Sequence, residues 1–345
     1  MTARFGVARR RPASALALLA ALALILAVLA AASIGEISIP MGTVAKVVSN
    51  RLLATGFDVN TLHAAVIWEY RLSRALVAAS CGAALAVCGV ILQALLRNPL
   101  ADPYILGISA GASTGAVVVT ILGVGAGMVG LSAGAFLGAL AAFAFVAVLA
   151  AGSGGGPARV ILAGVAGSQL FTALTSYIVT TSASAEQARG ILFWLLGSLG
   201  GVRWPDAALA FPIAVVGCAC AAAYARTLDA FTFGSDAAAS LGVSVVSARG
   251  VLLALTALMT ATMVSMVGSI GFVGLVIPHI ARFLVGHGHF ALIPGAAVIG
   301  AIFLVLADIV SRILIPQQVL PIGVVTALVG APAFAIILYR SRRLE

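Results

Sequence analysis

Lysine is almost missing from these 345 residues; the one present is Lys46, in Thr43-Val-Ala-Lys-Val-Val. A P-loop, G-x-x-x-x-G-K-[ST], needs its lysine to reach the nucleotide phosphates, so the chain does not bind and hydrolyse ATP in that way. There is no H-E-x-x-H, no G-x-S-x-G and no cluster of carboxylates, which removes the commonest metalloprotease and hydrolase chemistries. The cysteines Cys81, Cys88, Cys218 and Cys220 all fall in apolar runs. Cys218-Ala-Cys220 lacks the spacing of a zinc or redox pair, and the four read as small buried hydrophobes. His287-Gly-His289 reads as a polar turn between apolar runs rather than a metal site. No catalytic residue, resident metal or cofactor is expected, and the chain is not expected to be an enzyme.

Charge is scarce as well. Only 8% of residues are charged, against 62% hydrophobic, far too little charge for the surface of a soluble domain of this size. The apolar runs are continuous and do not alternate with polar residues, which points to helices rather than a barrel. The chain reads as an all-α polytopic membrane protein. Ionisable groups are nearly absent from the runs, which argues against an ion- or proton-driven carrier working without an ATPase. The net charge of +9 comes from arginines scattered singly, with no interleaved aromatics, so no nucleic acid partner is expected.

About 20 apolar residues cross a bilayer core. Ten such spans are expected, over 13–33, 72–96, 103–123, 127–151, 158–181, 205–225, 250–269, 270–286, 290–308 and 321–339. The first resembles a signal peptide, but its core is longer than that of a cleaved signal, so it reads as an uncleaved span. Residues 34–70 read as an external loop with a short surface helix, and Ile191–Leu199 as a short external or re-entrant helix. With the N-terminus inside, the external basic residues are Lys46, Arg51, Arg71, Arg74, Arg189, Arg203 and Arg312, and the other twelve are cytosolic. That balance favours cytosolic termini, 1–12 and 340–345. Small residues at helical spacing, such as Gly82, Ala86 and Gly89, read as close helix contacts. Arg74-Ala-Leu-Val-Ala-Ala and Arg249-Gly-Val-Leu-Leu-Ala open spans two and seven, which run in opposite directions, a faint sign of an inverted repeat.

Three features invite a mechanism. Arg71 and Arg74 share a helix face at i, i+3. The second span is expected to begin there, and a helix N-terminus disfavours cations; both also oppose the positive-inside bias. They are expected either to receive acidic groups or to pair with Glu69 or lipid headgroups, and Arg312 to act beside them or pair with Asp308 at i, i+4. The 226–249 connection is the longest on the cytosolic side; two short helices, joined near Gly234 and ended near Gly242, would fit it. Arg97-Asn98-Pro99 breaks the chain sharply after span two.

Several stretches, in this order and spacing, resemble the permeases of binding-protein-dependent ABC importers for iron–siderophore, haem and vitamin B12. They include Arg71-Leu-Ser-Arg74, Arg97-Asn-Pro-Leu-Ala-Asp-Pro103, Trp194-Leu-Leu-Gly-Ser-Leu-Gly-Gly201, Leu241-Gly-Val243, Gly271-Phe-Val-Gly-Leu-Val-Ile-Pro-His-Ile-Ala-Arg282 and Ala307-Asp-Ile-Val-Ser-Arg312. The resemblance covers nearly the whole chain. It implies a single permease domain with the ten-helix, vitamin B12 permease-like fold of type II ABC importers. It implies a homo- or heterodimer of permeases in lipid, in the bacterial inner membrane. The implied partners are a cytosolic ABC ATPase dimer and a periplasmic or lipid-anchored substrate-binding protein, with a ferric siderophore as the favoured cargo and haem or cobalamin as alternatives. It further implies that Arg71, Arg74 and Arg312 receive acidic residues of the binding protein. Asn98 and Leu100 would form one part of a cytosolic gate, with Pro157 and Ala158 the other. Phe233, Gly234, Ser235, Asp236, Ala239, Leu241 and Gly242 would couple to the ATPase. Ser73 departs from the family's usual proline, and Pro157-Ala158 stands where hydroxyl residues can occur.

Overall fold

The computed structural model describes residues 13–341 apart from 36, 126 and 153–155. The expected cytosolic segment 1–12, and 342–345 of the expected tail, lie outside the described residues. In chain order the described residues form α1 (Ala13–Ser33), α2 (Met41–Leu53), α3 (Thr61–Ala65), a π-helical stretch (Val66–Leu72) and α4 (Ser73–Leu95). A 3₁₀ turn (Pro103–Leu106) leads into α5 (Ile108–Thr120), α6 (Leu131–Gly152), α7 (Pro157–Ser182), α8 (Ala185–Leu195) and α9 (Trp204–Ala223). Then come α10 (Ala225–Thr232), α11 (Ser235–Ser240), α12 (Val245–Val267), α13 (Val273–Val285), α14 (His289–Ile313) and α15 (Ile322–Ser341). Among the described residues, six helical segments are long and apolar enough to cross a membrane: Thr61–Leu95, α6, α7, α9, α12 and α14. Four shorter apolar helices, Leu18–Ser33, Ile108–Thr120, Val273–Val285 and Ile322–Ile336, occupy the other four expected spans.

At four of the places where the boundaries differ from the sequence reading, the cause is local. The second span begins at Thr61, where the Asn60 side chain accepts from the Leu62 and His63 N–H groups, and it runs unbroken through the π-helical stretch into α4. Arg71 and Arg74 therefore sit inside a helix, and the argument from a helix N-terminus does not apply to them. The third span yields only α5, because Asp102 caps the 3₁₀ turn and Gly107 at φ 75° re-aims the chain. A capping box of Ser184 and Gln187 starts α8 six residues before Ile191. Finally, α14 continues to Ile313, so Arg312 lies in its last turn.

α4 is the centre of the bundle. Nearly all of its residues are buried, and it packs against α9, α12, α13 and α14. The contacts Cys81–Met263 and Cys88–Thr256 run in opposite order along α4 and α12, so those two spans are antiparallel, as expected. Small residues allow the closest approaches: a methyl group on Gly82 would collide with the Gly300 carbonyl, and one on Gly89 with the Gly274 carbonyl. In lipid, such backbone contact replaces the hydrophobic drive for association.

Residues 268–272, between α12 and α13, are not helical. Protein groups satisfy this backbone, as membrane-embedded structure requires. The Tyr104 hydroxyl donates to the Ile270 carbonyl at 3.0 Å and accepts from its N–H at 2.8 Å. Ser109 and Ser269 share a short hydroxyl contact, and the Ser198 N–H donates to the Val267 carbonyl at 2.8 Å.

Gly89→Leu is expected to force α4 from α13 and cost about 1–3 kcal/mol. Gly250→Ala, with open space at its Cα, is expected to be neutral or to stabilise by up to about 1 kcal/mol. Thermal unfolding of the purified protein checks both signs.

Candidate functional site

At one end of the bundle, α1 stops and leaves its last carbonyls without helical partners. Arg71 fills that place: Nη1 donates to the Ala32 and Ser33 carbonyls at 3.0 and 2.8 Å, and Nη2 to Ile37. Arg312 does the same from α14, donating to Ile34 at 2.9 Å and Ala31 at 3.1 Å. Asp308, 1% exposed, lies between two cations, with Arg74 at 2.7 Å and Arg312 at 3.1 Å. The three arginines thus converge, but Arg71 and Arg312 are buried and every guanidinium has partners within the chain. The i, i+4 pairing expected of Arg312 is present. The partner of Arg74 is not Glu69 but a carboxylate 234 residues away. These arginines line an open cavity of about 320 Å³, together with Tyr70, Leu199, Val202 and Arg203.

The opposite end carries the other candidate residues. Gly234, at φ 109°, separates α10 from α11, and Gly242, at φ 83°, follows α11. Both positions demand a residue without a side chain. Phe231 and Ala238 anchor this segment in the core, while Phe233 (77%) and Leu241 (71%) project outward. Asp236, Ala239 and Gly242 are exposed too, and half-buried Ser235 accepts from Arg249 at 2.8 Å. A second tie was not legible: the Asp229 carboxylate of α10 accepts from the His289 N–H at 3.0 Å and meets its Nδ1 at 2.6 Å. That buried histidine starts α14, so α10 is fastened to the helix whose far end holds Asp308.

Asn98 and Leu100 lie in the turn after α4, where Asn98 Oδ1 accepts from the Leu100 N–H at 2.9 Å and Leu100 is exposed. Arg97, at φ 48°, places its guanidinium against Gly234. Gln93 braces the same turn: its amide faces the carbonyls of Ala101, Gly274 and Leu275 at 3.3–3.4 Å, and its oxygen accepts from Arg282 at 2.7 Å. Pro157 and Ala158 begin α7. Within one chain no hydrogen bond joins these two expected gate parts among the described residues. Asp102 closes the turn. Burial pushes its carboxyl up to about 6, against the pull of the Tyr104 N–H.

Asp308→Ala leaves Arg74 and Arg312 without their carboxylate; about 3–5 kcal/mol of stability should be lost, read as a lower unfolding midpoint. A raised acid pKa means the folded state binds the proton more tightly. Asp102 therefore favours folding fully below the ordinary carboxylate range, and less as pH rises through about 6. Asp102→Asn should flatten that slope between about pH 4 and 6 and raise stability at neutral pH by about 1 kcal/mol.

Comparison with known proteins agrees with this architecture. The model of the FecCD transport family matches residues 22–340. The chain is 40% identical over 274 residues to the cobalamin import system permease protein BtuC of Halobacterium salinarum, covering 79% of this chain and 73% of that one. To the Fe(3+) dicitrate transport system permease protein FecD of Escherichia coli it is 38% identical over 314 residues, covering 91% and 97%. A solved transporter assigned to the metal-chelate type of ABC transporters, in an inward-facing conformation, superposes with a TM-score of 0.83 at 30% identity, covering 95% of this chain and 99% of that one. The ten apolar spans, the converging arginines and a family match running from the first span to the last lead to one assignment: the chain is a multi-pass membrane permease and belongs to the FecCD transport family.

Proposed function

We propose that the chain is the translocation subunit of a binding-protein-dependent ABC importer, one domain working as a pair in the inner membrane with both termini cytosolic. The observation that carries this is the pairing of two unlike ends in a chain that lacks a P-loop. One end presents guanidinium groups around a cavity; the other presents exposed Phe233 and Leu241 on a firmly anchored segment. The first suits an acidic binding protein outside, where charge complementarity sets orientation and on-rate. The second suits a cleft in a cytosolic ATPase dimer. Because Arg71, Arg74 and Arg312 also hold the fold, their role in docking is to set the potential of the cavity as well as to meet carboxylates.

Two copies would bring Asn98 and Leu100 of one turn, and Pro157 and Ala158 of the other, around a common axis as the cytosolic gate. α7 supports this arrangement. Gln169, Thr172, Ser176 and Thr180 are exposed along it at intervals of three or four residues, a polar stripe unsuited to lipid and suited to a watered path. Alternate opening then needs two states biased by nucleotide. For cargo we favour a ferric siderophore. The Fe(3+) dicitrate relative and the metal-chelate transporter each cover more than nine-tenths of this chain. Cobalamin is the second reading, favoured by the archaeal relative at 40% identity, and haem is the third cargo class the resemblance implies.

Proteoliposomes holding the permease, its ATPase and its binding protein should accumulate labelled ferric siderophore with ATP inside. The permease alone should neither hydrolyse ATP nor accumulate cargo, and accumulation by it alone would refute the reading. Phe233→Asp with Leu241→Asp should abolish association with the ATPase while leaving the unfolding midpoint within about 0.5 kcal/mol of wild type. With Cys220 replaced by serine, Thr172→Cys and Ser176→Cys should react with a water-soluble thiol reagent, and Val216→Cys on the lipid-exposed face of α9 should not.

A further inference from the structure

The cavity at the arginine end is lined by four guanidinium groups and, among the described residues, by no carboxylate. Three of the four are committed inward: Arg71 to the end of α1, Arg74 to Asp308, and Arg312 to both. Arg203 differs. It is exposed, its guanidinium carbon lies 4.4 Å from the centroid of the Tyr70 ring, and Nη1 donates to the Val202 carbonyl at 2.9 Å. The acid nearest in sequence, Asp206, is spent on the backbone: its carboxylate accepts from the Arg203 N–H at 2.8 Å and caps α9. Among the described residues, no carboxylate lies within ion-pair distance of the Arg203 side chain.

We propose that Arg203 is a further cation through which this cavity grips a partner, beside the three inward arginines, and that it takes a surface aspartate or glutamate of the external binding protein. The Tyr70 ring, 4.4 Å away, and the Val202 carbonyl restrain the guanidinium, so less side-chain freedom remains to be lost on binding. The contact to Val202 holds one corner and leaves Nε and Nη2 as a two-donor edge, the geometry that accepts a carboxylate in bidentate fashion. Apolar walls from Ile37, Val66, Leu199 and Val319 focus the field of the inward arginines on that edge. A concave, walled site fits a protruding side chain of a protein better than the flat headgroup layer of a lipid. Neither composition nor spacing singled out Arg203, and none of the family-derived docking residues includes it.

This proposal rests on the importer reading, and one experiment separates the two. The full permease, with its ATPase, is placed in nanodiscs and the purified binding protein encoded with it is flowed over them. Arg203→Glu should slow association by about tenfold or more at low salt and by far less at high salt. Arg203→Lys should fall between, since it keeps charge but loses the two-donor edge. The unfolding midpoint should not move, and reversing one acidic residue of the binding protein to arginine should restore the rate with Arg203→Glu. Wild-type association by Arg203→Glu at low salt overturns the role of Arg203 and leaves the importer reading intact. Absence of binding by the wild-type permease overturns the importer reading itself. An effect of Arg203→Glu that appears only in phosphatidylglycerol discs, and vanishes in phosphatidylcholine discs, assigns the edge to lipid phosphate and likewise overturns the proposal.

Discussion

A helix that ends against the protein rather than in water must have its last carbonyls answered by something. Here two arginines from distant parts of the chain answer those of α1. The rest of that end follows from this constraint. Two cations brought to one place repel, and a third, Arg74, comes with them one helical turn from Arg71. Asp308 offsets that repulsion from the centre. Burying such an ion cluster carries a large desolvation cost, which the carbonyl contacts help to meet. α1, α4 and α14 are thereby fixed relative to one another before any partner is involved.

The opposite end is built differently. Its α10–α11 segment stands on apolar anchors, Phe231 and Ala238, and on single polar ties to its neighbours, Ser235 to Arg249 and Asp229 to His289. The turn after α4 is braced by Gln93, which accepts from Arg282, and Arg97 lies beside Gly234. A segment held at a few discrete points can shift as a body. A segment held by an ion cluster and backbone carbonyls cannot do so without breaking several contacts at once. A shift of the α10–α11 segment therefore breaks fewer contacts than a shift of the arginine end.

Much of the architecture was legible because it is written locally. Hydropathy placed ten spans, glycines placed the breaks at 234 and 242, and small residues announced the contacts of Gly82 and Gly89. What escaped was of two kinds. Helix starts at Thr61 and Ala185 depend on Asn60 and on Ser184 with Gln187, cap signals that were present but masked by nearby charges and by a short apolar core. The ties Arg74–Asp308 and Asp229–His289 join residues 234 and 60 positions apart. Each such carboxylate stands alone in its own stretch, so no periodicity or spacing points to its mate.

The break at 268–272 bears on how the chain enters the bilayer. α13 has 13 residues, about 20 Å of helix, well short of the hydrocarbon thickness. The non-helical piece before it is satisfied by Tyr104 and Ser109, which are translated some 160 residues earlier. α13 therefore cannot be handed to lipid as an independent unit. Its place in the membrane depends on the α4–α5 region, which is synthesised first and supplies the partners for the break that precedes it.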